Sequence, residues 1–187
     1  GRLYPKPEGK GRGITRGISW YDNPRGGVAA NAKTRLSDMD GEGIDIAVLF
    51  PAQGLWLGGV EDPEFAAALC RAYNTWLADY CSNDPRRLKG VAIAPLQDPE
   101  LAAQETRHAV EKLKHIAVMV RPNPYAGRNL EDARNDVFYA EVQRLGVPLI
   151  THEGTGMVGA SSTVGIDRYD SFMFTHTVSH TMEQMLA

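Results

Sequence analysis

The segment "RLKGVAIAP", Arg87 to Pro95, decides the fold class that this sequence predicts. Its second half is apolar without alternation, and strands of that kind are buried on both faces, as in a parallel sheet covered by helices. Asp98 and Pro99 follow shortly after it, and they are typical of the N-cap and the first position of a helix. The pattern therefore predicts a strand–helix unit of a parallel α/β sheet.

The same unit recurs along the chain, and a further helix over 31–43 precedes the first strand, with Leu36 and Met39 facing inwards. Strands are predicted over 44–51, 87–95, 115–124 and 147–151, and helices over 62–81, 98–114, 130–146 and 179–187. Right-handed crossovers allow either a barrel or a doubly wound open sheet. In both, function lies at the carboxyl ends of the strands.

Bulk composition excludes some functions without choosing one. The chain has 187 residues, 43% of them hydrophobic, which is enough for one domain, and its formal charge of -3 gives no electrostatic case for nucleic acid or an anionic membrane. No apolar run approaches the roughly 18 residues needed to span a bilayer, and we expect a cytoplasmic protein with its two cysteines reduced. The composition of residues 1–30 predicts an irregular arm or insertion, and residues 31–187 are predicted to form the domain itself.

The predicted strand ends carry "FPAQG", "APLQD", "RPNP" and "THEG". His152 could ligate a metal, and Arg121 could hold a substrate carboxylate in a bidentate manner. Each residue alone is more often a structural or polar group. Asn123, beside Arg121, is a second candidate for substrate binding, and Trp56 in "GLWLGG" could form an apolar wall of a site or simply pack.

Two histidines in "THTVSH", His176 and His180, stand near the predicted start of the last helix. They could reach a pocket at the strand ends, or they could belong to a capping segment in which Ser179 is the N-cap. Glu153 could orient His152 or a water molecule. The sequence contains no GxxxxGK[ST], HExxH, CxxC or GxSxG motif, so phosphate binding and serine hydrolysis lack support.

Four segments form a recognisable pattern when they are taken in order: "LSDMDGEGIDIAVLFP", "LKGVAIAPLQDPE", "VMVRPNPYAGRNLED" and "LGVPLITHEG". They resemble the amidohydrolase-related metal-dependent TIM-barrel family, which includes resorcylate, carboxyvanillate and aminocarboxymuconate semialdehyde decarboxylases. The resemblance runs from about Ser37 to the C-terminus.

The resemblance implies a (β/α)8 barrel with a divalent metal at its C-terminal mouth, of which this chain covers strands 2–5. In the family the ligands come from an acidic residue or a His-x-His motif on the first strand, a histidine on the fifth and an aspartate on the eighth, and a catalytic histidine follows the sixth. His152 matches the fifth-strand ligand, and no His-x-His occurs in the sequence. We expect the first strand to precede Gly1 and the last three to follow Ala187, so that four strands alone would expose sheet edges and an apolar face.

These observations lead to the hypothesis of a metal-dependent hydrolase or nonoxidative decarboxylase that acts on a small aromatic or unsaturated carboxylic acid. We expect zinc, with manganese as the alternative, bound partly by His152, and we expect a homodimer. His180 and Glu153 are the candidate catalytic residues, and Arg121, Asn123, Trp56 and His176 the candidate substrate-binding residues. Two other interpretations remain open: a non-catalytic barrel remnant that binds a small acid or a partner, and a doubly wound domain.

Overall fold

The computed structural model describes residues 31–51, 53–152 and residue 185. The predicted arm over 1–30 lies outside the described residues, and so does the predicted helix over 179–187, apart from Met185. Within this part of the chain, the helices are too short or too polar to cross a lipid bilayer.

Helices and strands alternate in the predicted order. The strands are β1 (Ala47–Leu49), β2 (Leu88–Ile93), β3 (Ala117–Val120) and β4 (Leu149–Thr151). The α-helices are α1 (Ala32–Glu42), α2 (Pro63–Cys81), α3 (Pro99–Glu111) and α4 (Asp136–Leu145). Two 3-10 helices complete the described chain, Gln53–Gly59 after β1 and Ala133–Asn135 before α4.

The helix caps form as the sequence predicts. Asp62 accepts a hydrogen bond from the backbone N–H of Phe65, and Asp98 accepts from those of Glu100 and Leu101, so both satisfy donors that a helix start leaves without a partner. Gly146 ends α4 in the left-handed conformation, with φ at 65°. Local capping chemistry therefore sets most helix ends.

Two elements, β1 and α4, begin three or more residues later than predicted, and side chain to backbone hydrogen bonds explain both. β1 starts at Ala47 rather than residue 44, because the guanidinium of Arg87 donates hydrogen bonds to the carbonyls of Ile44 and Asp45. The last described helix starts as a 3-10 turn and becomes α-helical only at Asp136. There the side chain of Asn135 donates to two backbone carbonyls upstream, which holds that segment as a loop.

The four strands form one parallel sheet in the order β1-β2-β3-β4. The register pairs Leu49 with Gly90, Ile93 with Met119 and Val120 with Thr151. A flat sheet would separate its outer strands by about 14 Å, three strand spacings. Yet the rings of Phe50 and His152, each one residue beyond an outer strand, lie 5.4 Å apart. The sheet is therefore strongly curved at its carboxyl end, and both rings lie on its concave side.

The convex face of the sheet packs against the helices, and the two central strands are buried on both faces apart from Lys89 of β2, which is half-buried. Val118 and Val120 pack with Phe138 and Val142 of α4, while β1 packs through Leu49 beside Leu77 of α2. The expectation that all strands are buried on both faces is wrong for the outer ones. Val48 of β1 is 46% exposed and Leu149 of β4 is 38% exposed, because each outer strand has a single neighbour among the described residues. Exposed edges and an exposed apolar face were expected for four strands of a barrel.

A fully buried asparagine on α2 continues the sheet where β1 stops. β1 pairs with β2 only as far as Gly90, and the N–H and C=O of Ile93 face the side that β1 no longer reaches. The amide of Asn74 fills this position: its oxygen accepts from Ile93 N–H at 2.9 Å, and its nitrogen donates to Ile93 O at 3.1 Å. The same nitrogen donates to Glu105 of α3 at 2.8 Å, so one side chain joins two helices to the sheet.

We expect Asn74→Ala to lower the free energy of unfolding by about 2 to 4 kcal/mol, because three buried polar groups lose a partner. Urea denaturation of the full-length protein measures this loss. Thr75→Ala is the matched control, since Thr75 is exposed on the same helix and bonds only to the carbonyl of Arg71 among the described residues. An equal loss in both variants would contradict the assignment.

Candidate active site

The carboxyl ends of the four strands bring the predicted site residues to one end of the sheet. Parallel strands place their ends at the same edge, so residues following β1, β3 and β4 meet there. Phe50, Arg121 and His152 are each the first residue after their strand. This edge, with the concave face below it, is called the mouth.

His152 is held at the mouth by the strand backbone and by an aromatic neighbour. Its backbone N–H donates to the carbonyl of Val120 at 3.0 Å, which extends the pairing of β4 with β3 by one residue. Its half-buried ring contacts that of Phe50, with the ring centres 5.4 Å apart and the planes tilted by 36°. Such a pair is worth about 0.5 to 1.5 kcal/mol beyond its buried area. The structure therefore fixes where this imidazole lies.

A histidine in this position suits one ligand of a metal site but does not make one alone. Imidazole is a common ligand of divalent transition metals. Across residues 31–51 and 53–152, no three histidine, cysteine, aspartate or glutamate side chains gather as a metal site. Any metal held by His152 thus needs further ligands beyond the described side chains. The predicted roles of Glu153, His176 and His180 also fall on residues outside the described ones.

Arg121 lies at the mouth, 5% exposed and in close contact with one tyrosine. Its guanidinium carbon is 4.9 Å from the centre of the Tyr125 ring, a cation–π distance. The Tyr125 hydroxyl accepts a hydrogen bond from the Arg121 backbone N–H at 2.8 Å, and the guanidinium also donates to the carbonyl of Pro124. Arg121 is therefore a firmly positioned cation, and its contact with a substrate carboxylate stays a prediction.

Burial keeps the Tyr125 hydroxyl protonated. It raises the pKa of Tyr125 to about 12, against a smaller opposing effect of Arg121. At neutral pH the hydroxyl is thus uncharged, and it accepts the Arg121 N–H with its proton retained. Asn123, the other predicted residue of this loop, has a buried side-chain oxygen for which the described residues provide no donor. That oxygen is the one polar observation behind its predicted role.

The 3-10 helix Gln53–Gly59, here called the roof helix, lies across the mouth. Leu55 packs on the concave-face cluster of Val91, Ala117 and Met119. A β-carbon added to Gly54 would stand 2.6 Å from Ile93, so the helix backbone touches the end of β2. Trp56 belongs to the roof helix, which places its backbone at the mouth; its role in substrate binding stays a prediction.

Sequence reasoning missed the residues that hold this arrangement. Gln97 is 4% exposed and donates to the carbonyls of Leu57 and Val60, at 2.8 and 2.9 Å. Arg128 donates from one nitrogen to the carbonyls of Leu96 and Gln97. Side chains that bond backbone carbonyls leave no periodic pattern in a sequence, and the one signal that could have indicated a defined loop is the glycine-containing "YAGR" at residues 125–128.

Two other histidines serve the scaffold or the helix surface. His115 is buried before β3, with its ring nitrogen 2.9 Å from the carbonyl of Asn74, and burial lowers its pKa. His108 lies on α3 away from the mouth. Of the five histidines in the sequence, His152 is the one that the described structure places at the strand ends.

Comparison with protein families gives a match over nearly the whole chain. The family model described as Amidohydrolase matches residues 28–186. The chain belongs to the amidohydrolase family. The partial (β/α)8 barrel is thereby confirmed as its fold class, since solved structures of this family superpose on the described sheet and helices.

Three relatives illustrate the match. The gamma-resorcylate decarboxylase of Rhodococcus jostii is 33% identical over 131 residues, which cover 63% of this chain and 38% of the relative. The structure of dihydroxybenzoic acid decarboxylase from Polaromonas, with bound manganese and the inhibitor 2-nitroresorcinol, is 30% identical with a TM-score of 0.58 and covers 64% of this chain and 37% of that one. A third relative is the 5-carboxyvanillate decarboxylase of Novosphingobium aromaticivorans, whose structure was solved in complex with manganese and a nitrobenzoic acid. It is 26% identical with a TM-score of 0.68, and the match covers 81% of this amidohydrolase-family chain and 42% of that one.

The chain spans about two fifths of the length of the curated relatives it matches.

We expect Gly58→Ala to lower the free energy of unfolding by about 1 to 3 kcal/mol, because over-packing a filled site forces its neighbours to move. The added β-carbon would stand 2.6 Å from Cδ of Arg121 and 3.2 Å from the Tyr125 ring. Gly41→Ala in α1 is the control, since its β-carbon meets no described atom within 4 Å. Urea denaturation of both variants checks the expectation; unchanged stability in Gly58→Ala would show that Arg121 is not packed under the roof helix.

Proposed function

We propose that this chain forms the central part of a metal-dependent nonoxidative decarboxylase acting on a small aromatic carboxylic acid. The observation that carries the proposal is His152, an imidazole fixed at the mouth of a partial barrel. The family supports both hydrolysis and decarboxylation as chemistries of this fold, and the named relatives favour decarboxylation, because their names describe decarboxylases of aromatic acids.

A divalent cation is the proposed cofactor, with His152 as one of its ligands. Bound at the mouth, such an ion would supply Lewis-acid chemistry to oxygen atoms of the substrate. The solved relatives named above contain manganese, which supports manganese ahead of zinc as the first metal to test. Glu153 is proposed to orient His152, in the manner of carboxylates that hold ligating histidines.

The substrate is proposed to lie at the mouth, beside the roof helix. Arg121 carries a positive charge at this end of the sheet, which suits a carboxylate, and its contact with the Tyr125 ring fixes its position. Asn123 supplies a neighbouring amide, and Trp56 an apolar wall for an aromatic ring. His176 is proposed as a further substrate contact.

The reaction breaks the bond between the ring carbon and the carboxyl carbon, releases carbon dioxide and places a proton on the ring carbon. His180 is the proposed proton donor for this carbon. Orientation of the acid by Arg121 would contribute through proximity, since a fixed carboxylate has fewer unproductive positions. The proposed partner is a small-molecule acid; a homodimer and a cytoplasmic location stay predictions.

We expect His152→Ala to lower manganese affinity by at least about tenfold, because a metal site that loses a ligand binds weakly. Elemental mass spectrometry of the full-length protein, loaded with manganese and then dialysed, measures metal per chain. Release of carbon dioxide from 2,6-dihydroxybenzoate measures activity, which should fall with the metal content.

His108→Ala is the control, since His108 lies on α3 away from the mouth. The proposal fails if His152→Ala retains the metal of the wild-type protein. A wild-type protein that binds no divalent metal and releases no carbon dioxide from aromatic acids would instead support a non-catalytic barrel that binds a small acid.

A further inference from the structure

A tight turn after β3 carries two side chains that reach different parts of the mouth. Tyr125 and Arg128 exchange two backbone hydrogen bonds, at 2.8 and 2.9 Å, which close the turn. Ala126 and Gly127 between them both have positive φ, 47° and 76°, the geometry of a type I′ turn. This geometry holds Tyr125 and Arg128 in a fixed relation to each other.

The first connection runs from Arg128 to the roof helix through the loop after β2. One Arg128 nitrogen donates to the carbonyls of Leu96 and Gln97, at 2.9 and 2.6 Å. Gln97 in turn donates from its amide to the carbonyls of Leu57 and Val60. Arg128 thus fixes the backbone of Gln97, and the side chain of Gln97 holds the C-terminal end of the roof helix.

The second connection runs from Tyr125 to the same helix through Arg121. The Tyr125 hydroxyl and ring hold the backbone N–H and the guanidinium of Arg121. The Arg121 stem in turn fills the space against Gly58, where a β-carbon would stand 2.6 to 2.7 Å from two of its atoms. Two independent chains of contact therefore leave one turn and end within four residues of each other, at Leu57, Gly58 and Val60.

The roof helix needs such external support. Seven residues in a 3-10 helix exceed the usual run of three or four, because the hydrogen-bond geometry of that helix is poor. Its apolar contact with the concave face is made by Leu55, near the opposite end from Gly58. Contacts from the turn are what hold the C-terminal half.

We propose that Tyr125 and Arg128 are positioning residues of the site: together they hold the roof helix across the mouth and so set the fit of the substrate without touching it. The effect on substrate fit rests on the proposed function. The effect on the roof helix does not, and the two are measured separately.

Hydrogen–deuterium exchange of the full-length protein tests the positioning itself. In Arg128→Met and Tyr125→Leu, the backbone amides of residues 53–60 should exchange at least about tenfold faster, because a locally released segment opens without global unfolding. Amides of β2 and β3 should keep their wild-type rates. Arg134→Met is the matched control, an arginine nearby whose partner is Asp132 of the same loop.

Gln97→Met provides a second route to the same answer if either variant fails to fold. It removes the amide that bonds Leu57 and Val60 directly and should give the same local pattern. Unchanged exchange over 53–60, in whichever variants fold, overturns the proposal. Faster exchange throughout the sheet also overturns it, because the residues would then stabilise the fold as a whole.

Steady-state kinetics on aromatic acids test the consequence for the substrate. In Arg128→Met, KM should rise at least about fivefold while kcat stays within about twofold, the pattern of a lost binding contribution. Tyr125→Phe keeps the ring on Arg121 and should recover part of the loss seen in Tyr125→Leu. If the wild-type protein shows no activity, the proposed function fails while the exchange result still decides the role of the turn. A fall in kcat with KM unchanged would contradict the proposal that Tyr125 and Arg128 set the fit of the substrate through the roof helix.

Discussion

The fold depends on how β2 satisfies its backbone on the side where β1 ends. In a central strand of a parallel sheet, each buried N–H or C=O without a hydrogen-bond partner lowers the free energy of unfolding by about 1 to 3 kcal/mol. Asn74 meets this constraint from α2 and in doing so connects to Glu105, which is paired with Arg71. The early end of β1 is what makes room for the roof helix, because the chain leaves the sheet there and crosses the mouth. The buried amide and the covered site are therefore two results of one short strand.

Much of the fold could be predicted because its signals are local. Apolar runs gave the parallel strands, and Asp62 with Pro63 and Asp98 with Pro99 gave the helix starts. The burial of the outer strands was mispredicted, since a run such as that of β1 looks the same whether or not a neighbouring strand covers it. The late start of β1 depends on Arg87, which is distant in sequence, and periodicity holds no information on such a partner.

The candidate site was predicted in its position and less in its construction. His152 and Arg121 were identifiable because parallel strands end together, a rule of topology. Gln97 and Arg128 define their surroundings through side chain to backbone bonds across about 30 to 40 residues, and Tyr125 does so through its bond to the backbone of Arg121, four residues earlier. Nothing in residue type or spacing distinguishes these from ordinary surface polar groups. The positive φ of Ala126 is equally hidden, because alanine is not a residue that such turns favour.

The ring contact between Phe50 and His152 joins two positions about a hundred residues apart across the concave side of the sheet. A phenyl group has no hydrogen-bond donor or acceptor of the ordinary kind, so its contact with an imidazole does not compete for either ring nitrogen. Phe50 can therefore fix the orientation of the imidazole without bonding to either of its nitrogens. It follows that substitutions at positions 50 and 152 are coupled. A smaller or polar residue at position 50 would change the orientation of the imidazole and leave its capacity to bind a metal or a proton unchanged. Substitution patterns among relatives should then carry a dependence between these two sites.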